Sequence, residues 1–338
     1  MTIATSPSQP ITNSNDTRTT RHIQTVDEPQ TAILNDQNSG QQAKAIALRL
    51  YLQRSIAQNE KSGILTGVAV SDLQSQTFLT NHNGDTEQFA ASVNKLPIAA
   101  LVLRDLRDGK LTLDQTLTWA ATDVRGGAGV YDQPGAPTQA TVESLLFDML
   151  NPSGNTAVRV FVNQAFGGAV AVNTRFRSEL GLRHTYLQPQ RGNTFYVGNT
   201  TPNEALLNIT TLLQGNDRYQ QLVKNALATN IYIDYGVRTQ LAGNDFISLS
   251  NKVGILDDAE GNNRHDVGII YNTTTHKSYA YAFMNTAYGA AYNLPTSQAG
   301  VSLADMGRGV LRYSGDTRTG TEKALRDTAP FTESRLRY

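Results

Sequence analysis

The sequence predicts an α/β fold: one antiparallel sheet assembled from both ends of the chain, helices flanking it, and an all-helical lobe inserted between the two halves. Strand-type segments occur early, at Ile64–Leu79, and late, at Phe246–Asn285. The stretch between them, about residues 111–228, carries mostly helical periodicity. A chain of 338 residues, 39% of them hydrophobic, can bury a large core as one domain or as two lobes.

The elements follow in order. Gln41–Gln58 sets Ala45, Ile46, Leu48, Leu50, Tyr51 and Ile56 on a broad face without Gly or Pro, the pattern of a helix. Ile64–Val70 and Thr77–Leu79 flank the polar run Ser71–Ser75 as two strands joined by a turn. Ser92 opens a helix running to about Arg107, which Gly109 ends. Helices are expected at Val142–Leu150, Thr156–Phe166 and Ala169–Leu180, with loops at Gly126–Gly129 and Gln188–Thr201 by their Gly, Pro, Asn and Gln content. A helix around Asp217–Ala228 precedes strands at Phe246–Lys252, Val267–Tyr271 and Tyr279–Asn285. The last helix is Ala299–Tyr313.

Residues 1–40 are a different material, rich in Ser, Thr, Asn and Gln, and too poor in large apolar side chains to offset their ordering entropy. They read as a disordered leader, residues 41–314 as the folded domain, and residues 315–338 as a polar tail. Lys+Arg and Asp+Glu both number 29, so no basic field argues for nucleic acid. Cysteine is absent, which excludes disulfides, thiolate nucleophiles and iron–sulfur clusters. None of the five histidines has metal-ligand spacing, and neither a metal nor a cofactor is expected. The longest apolar runs, such as Leu96–Leu103, are too short to span a bilayer. No signal-peptide core follows Met1, so the chain is either cytoplasmic or lacks an export segment in the sequence given. Monomer is the default.

The chemistry is concentrated in three short runs. Ser92-Val93-Asn94-Lys95 places a serine three residues before a lysine, which on a helix puts both side chains on one face. A partly desolvated lysine loses its proton near neutral pH and can then take the hydroxyl proton of the serine. Later stand Ser153-Gly154-Asn155 and Lys252-Val253-Gly254. Lys61-Ser62-Gly63 matches the third pattern more literally, but it lies before Ser92 and precedes a strand, so Lys252 is retained.

Together these runs resemble the signature of class A β-lactamases and penicillin-binding proteins, Ser-x-x-Lys, Ser-Asp-Asn and Lys-Thr-Gly. The resemblance spans about Gln41–Tyr313 and includes Phe89–Pro97, Gly168–Leu182 and Thr200-Thr201-Pro202. It implies the DD-peptidase/β-lactamase-like fold, an extracytoplasmic location, and as partner a small-molecule β-lactam or a peptidoglycan stem peptide. It further implies that Ser92 is acylated with Lys95 as base, and that Ser153 relays a proton to the leaving nitrogen, assisted by the charge of Lys252. By the same resemblance Asn155 holds Lys95 and the substrate amide, and the backbone N–H groups of Ser92 and Ile255 form the oxyanion hole.

The chain departs from the family at two places. Val253 replaces a hydroxyl residue that helps bind the substrate carboxylate beside Gly254; Arg238 and Arg264 are the candidates to supply that contact. The interval His184–Asn199 contains neither Asp nor Glu, whereas class A β-lactamases place there the glutamate that activates the deacylating water. Gln188 or Gln190 can orient a water but not deprotonate it at neutral pH. His184, and the pair His265-Asp266, are the auxiliary candidates, while Glu179 and Glu204 read as solvated. Three functions stay open: a peptidase-like acyl-transfer hydrolase that deacylates slowly, a genuine class A β-lactamase, and a non-catalytic module binding cell-wall peptide.

Overall fold

The computed structural model describes Leu34 and residues 40–188, 198–241, 245–258, 261–288 and 296–315. Apart from Leu34 and Gly40, the expected leader lies outside the described residues, as does nearly all of the tail. Leu34 itself is buried among the core residues of α1 and α8, defined below.

Helix α1 (Gln41–Lys61) leads into strands β1 (Ile64–Asp72) and β2 (Thr77–His82), then the short β3 (Gln88–Phe89) and helix α2 (Lys95–Arg107). The inserted lobe holds β4 (Thr116–Thr118), β5 (Gln139–Thr141), α3 (Val142–Leu150), α4 (Asn155–Val160), α5 (Ala169–Leu180), β6 (Tyr186–Leu187), β7 (Gly198–Thr200), α6 (Pro202–Leu213) and α7 (Arg218–Ala228). The chain returns through β8 (Ile247–Asp258), β9 (Gly261–Asn272) and β10 (Lys277–Ala287) to α8 (Thr296–Tyr313). The main sheet runs β2-β1-β10-β9-β8, all antiparallel. Its central pairing, β1 with β10, joins the two ends of the domain in the register Ile64↔Ala287 to Asp72↔Tyr279. The lobe is helical except for the β4–β5 pair and its share of the small β3-β7-β6 sheet.

Alternation along β10 explains why both faces of the sheet are covered. Ala280, Ala282 and Met284 face the lobe core, whereas Tyr279, Tyr281 and Phe283 face the core under α1 and α8. The small side chains of Ala280 and Ala282 leave room for α6, which packs on β1, β9 and β10 and against α2; in α2 Leu96, Ile98, Ala99, Leu101, Val102 and Leu103 are all buried. A helix apolar on every side belongs in the centre of a domain. Pro97 falls in its first turn, where the missing N–H has no intrahelical partner to lose, and Arg104 and Arg107 complement the dipole at its other end. Thr201 caps α6 by accepting the Glu204 N–H, and Pro202 is its first residue.

β8 and β9 run longer than the expected strands Phe246–Lys252 and Val267–Tyr271, and β7 lies within the expected loop Gln188–Thr201. Two helix ends also differ from the sequence expectation. Ser92 does not begin the α-helix; it sits in a tight 3-10 turn, Ala91–Asn94, from which α2 continues at Lys95. The expected helix Thr156–Phe166 is regular only to Val160 and then widens, with Phe166 N–H reaching Phe161 O at 3.1 Å across five residues. The two phenylalanine rings stack at 6.4 Å, a contact the wider turn permits.

Candidate active site

In a 3-10 turn residues i and i+3 eclipse one another, so Ser92 and Lys95 lie on one line even before the α-helix begins. Lys95 Nζ is 3.0 Å from Ser92 Oγ. The same nitrogen donates to Ser153 O at 2.5 Å, Ser153 Oγ at 2.9 Å and Asn155 Oδ1 at 2.9 Å. Lys252, fully buried on β8, donates to Ser153 Oγ at 2.8 Å and to Val253 O at 3.2 Å. The structure thus brings together Ser92, Lys95, Ser153, Asn155 and Lys252, where the free edge of β8 meets the lobe. Lys61 is exposed at the end of α1. Ala91 (φ 46°) and Ser153 (φ 70°) hold left-handed backbone beside the reacting groups, conformations that cost non-glycine residues about 1–3 kcal/mol and cluster at functional sites.

Burial pulls the Lys95 ammonium down to about 8, with the charges of Asp132 and Asp148 acting against that shift. Burial also pushes Lys252 down, and the charge of Lys95 adds to the effect. Two lysines that share one serine oxygen repel each other when both are charged, so each eases deprotonation of the other. The chemistry available is proton transfer from Ser92 Oγ to Lys95, and exchange of a proton between the lysines through Ser153 Oγ.

Gly254 lets β8 approach the nucleophile turn, since a Cβ there would meet Ala90 O and Val93 Cγ2 at 3.1 Å and His265 Cδ2 at 3.2 Å. Ser92 and Ile255, whose N–H groups the oxyanion expectation names, are chain neighbours of the residues in that contact.

Five expected contributors are corrected. Val253 is 2% exposed and packs in the core under α1 and α8, so its side chain is not a substrate contact. Arg238 donates to Asn251 Oδ1 at 2.7 Å and to the carbonyls of Leu227, Ala228 and Leu249, stapling α7 to β8 rather than facing a ligand. Arg264 makes a two-point pair with Asp257 at 2.5 and 2.8 Å, which uses its fork geometry internally. His265 is buried: Nε2 donates to Phe89 O at 2.8 Å and Nδ1 accepts the Asn285 N–H at 3.2 Å. Burial lowers its pKa to about 4, so it is a neutral pin behind the nucleophile turn. Asp266 accepts from Val237 N, Asn251 Nδ2 and Tyr281 Oη, and burial raises it to about 6; it anchors the neighbours of Lys252.

His184 is exposed and bonds Glu87 Oε1 at 3.1 Å, outside the cluster. Gln188 is exposed, and residues 189–197 of the interval, Gln190 included, lie outside the described residues. Glu204 and Glu179 are not merely solvated: Glu204 accepts the Arg183 and His184 N–H groups and the Thr185 hydroxyl, and Glu179 pairs with Arg175 and Arg104.

Two carboxylates beneath the cluster escaped sequence reasoning. Asp132, 4% exposed, accepts the N–H groups of Gly129 (2.9 Å), Asn155 (3.0 Å) and Thr156 (2.7 Å). Asp148, 3% exposed on α3, accepts the Val130 N–H at 2.6 Å through Oδ1. The available signal was an aspartate on the apolar stripe of α3, between Leu145 and Met149, and the glycines at 127 and 129, where a Cβ would overlap or crowd these carboxylates.

The comparisons with known proteins agree with this fold. The β-lactamase from Sphaerobacter thermophilus is 23% identical, covers 78% of this chain and 97% of its own, and superposes with a TM-score of 0.63. The chromosome-encoded β-lactamase of Vibrio parahaemolyticus is 20% identical, covering 78% and 99%, with a TM-score of 0.66. PBP-A is 21% identical, covering 78% and 94%, with a TM-score of 0.65. At such identities the likeness establishes the fold. No curated protein matches the sequence. Among the described residues no helix is long and apolar enough to cross a membrane. The model of the Beta-lactamase enzyme family matches residues 47–313, so this chain belongs to that family and is a serine hydrolase.

Proposed function

We propose that the protein is an acyl-transfer hydrolase that forms an acyl-enzyme on Ser92 with β-lactams or D-Ala-D-Ala-like peptide amides and releases it slowly, acting outside the cytoplasm. The observation that carries the reading is a buried Lys95 Nζ, drawn down to about 8, at 3.0 Å from Ser92 Oγ. Lys95 takes the hydroxyl proton as Oγ attacks the carbonyl carbon, and the N–H groups of Ser92 and Ile255 stabilise the oxyanion. Ser153, bonded by both lysines, passes a proton to the leaving nitrogen. A PBP-A variant is known as an acyl-enzyme with penicillin G, which supports the same chemistry here.

Slow release follows from composition. Hydrolysis of the acyl-enzyme needs a second base, His184–Asn199 contains no carboxylate, and His265 and Asp266 are occupied elsewhere. Losing a general base costs about 10²–10⁴-fold in rate. Intact-mass measurement after incubation with a penicillin is expected to show one persistent adduct, absent from Ser92→Ala, and a chromogenic cephalosporin should give a burst followed by slow turnover. Rapid turnover without a burst would restore the efficient β-lactamase reading. An unlabelled wild type would favour the non-catalytic peptide-binding module, against which the intact Ser92–Lys95–Ser153 contacts already weigh.

A further inference from the structure

We infer that Asp148, from helix α3, places a buried carboxylate against Gly154, the position at which the Ser-Asp-Asn motif has its aspartate, and that Asp148 and Asp132 together position Lys95. Gly154 has φ −55° and ψ 129°, a backbone any residue adopts, so its conformation does not demand glycine. Space does: a Cβ on Gly154 would overlap Asp148 Oδ2. A Cβ on Gly129 would likewise meet that oxygen, at 2.7 Å, and Gly154 Cα, at 2.5 Å. Asp148 O also accepts the Gly154 N–H at 2.8 Å, so the end of α3 holds the motif loop through both its main chain and the room its side chain occupies.

Asp148 Oδ2 is buried and has no hydrogen-bond partner among the described residues. A carboxylate oxygen so placed is tolerated when a nearby cation compensates it. The charged groups that act on Asp148 are Asp132, from the turn Val130–Asp132, and Lys95, from α2; Glu143, on α3 itself, is exposed at the far end. Lys95 in turn feels Asp132 and Asp148 from the lobe, and its charge bears on Lys252 from β8. Asp132 fixes the N-terminus of α4, and hence Asn155, which accepts from Lys95. Neither carboxylate touches the reacting atoms; both are positioning residues for the base that the proposed function assigns to Lys95.

The test reads Lys95 directly. In protein carrying ¹³C-labelled lysine, the Lys95 ε-carbon resonance, assigned by its loss in Lys95→Met, is titrated in the wild type and in the near-isosteric Asp148→Asn. Removing the negative charge is expected to lower the titration midpoint by about half a pH unit or more; an unmoved midpoint would overturn the inference. A carboxylate swap covers the case in which Asp148→Asn does not fold. Gly154→Asp alone should lose much of its thermal stability, and Asp148→Gly combined with Gly154→Asp should recover most of that loss along with the wild-type Lys95 midpoint. A double variant no more stable than Gly154→Asp alone also overturns it. Because neither readout uses a substrate, absence of penicillin labelling in the wild type would sink the proposed function and leave these results decisive for Asp148.

Discussion

The protonation of Lys95 sets a quantitative expectation for the acidic limb of acylation. With its pKa drawn to about 8, roughly a tenth of the protein carries a neutral Lys95 near pH 7, against about 300-fold less for a lysine at its ordinary value. The second-order rate of labelling by a fluorescent penicillin should therefore rise about tenfold between pH 6 and pH 7 and level off above about pH 9. Lys95→Ala should lower the plateau by about 10²–10⁴-fold and abolish the limb. The same depression has a cost in stability. Unfolded Lys95 binds its proton more tightly than folded Lys95, so the unfolded state holds more protons between about pH 8 and 10.5, and the folded state gains about 3 kcal/mol from this residue as pH rises through that window. Lys95→Met should remove that part of the pH dependence in urea unfolding. Stopped-flow labelling from pH 6 to 10 tests the kinetic half; a rate flat from pH 6 to 9, or a midpoint near that of a solvated lysine, would refute the assignment of Lys95 as base.

Three further outcomes are expected. Val253→Thr puts a hydroxyl into a site that is 2% exposed and faces the core under α1 and α8, and should cost about 1–3 kcal/mol of stability in denaturant unfolding without raising labelling by a carboxylate-bearing β-lactam relative to a neutral ester; a selective gain for the carboxylate-bearing substrate would mean that the hydroxyl reaches the carboxylate. His265→Leu strands Phe89 O and the Asn285 N–H and should cost about 1–3 kcal/mol, measured by thermal unfolding at neutral pH. Since folding lowers the His265 pKa to about 4, its contribution is lost as pH falls from about 6.5 through 4, so the gap between wild type and variant should narrow there. Arg238→Ala breaks the staple between α7 and β8 and should lower Tm, with no selective loss of affinity for carboxylate-bearing substrates; a selective loss in steady-state competition would return Arg238 to the ligand.

The sequence by itself determined the elements and the three reacting runs, because those depend on interactions between near neighbours. Hydrophobic period located α2, α3, α5 and the strands of the main sheet, and the cap Thr201-Pro202 marked the start of α6. The spacing of Ser92 and Lys95 survived the change from α-helix to 3-10 turn, since i and i+3 share a face in both. Tertiary structure alone decided which polar side chains face the reaction. Arg238, Arg264, His265 and Asp266 had suitable chemistry and a suitable place in the chain, yet each is itself at least half buried and meets a partner supplied by an element distant in sequence or across a hairpin. A buried polar group must find such a partner, and no local pattern records which one it finds. Asp132 and Asp148 show the converse. Each is an isolated aspartate in its own segment, and only the packing of α3 against the turn Val130–Asp132 and the motif loop brings both charges within reach of Lys95, because Coulomb interaction depends on distance in space and not along the chain.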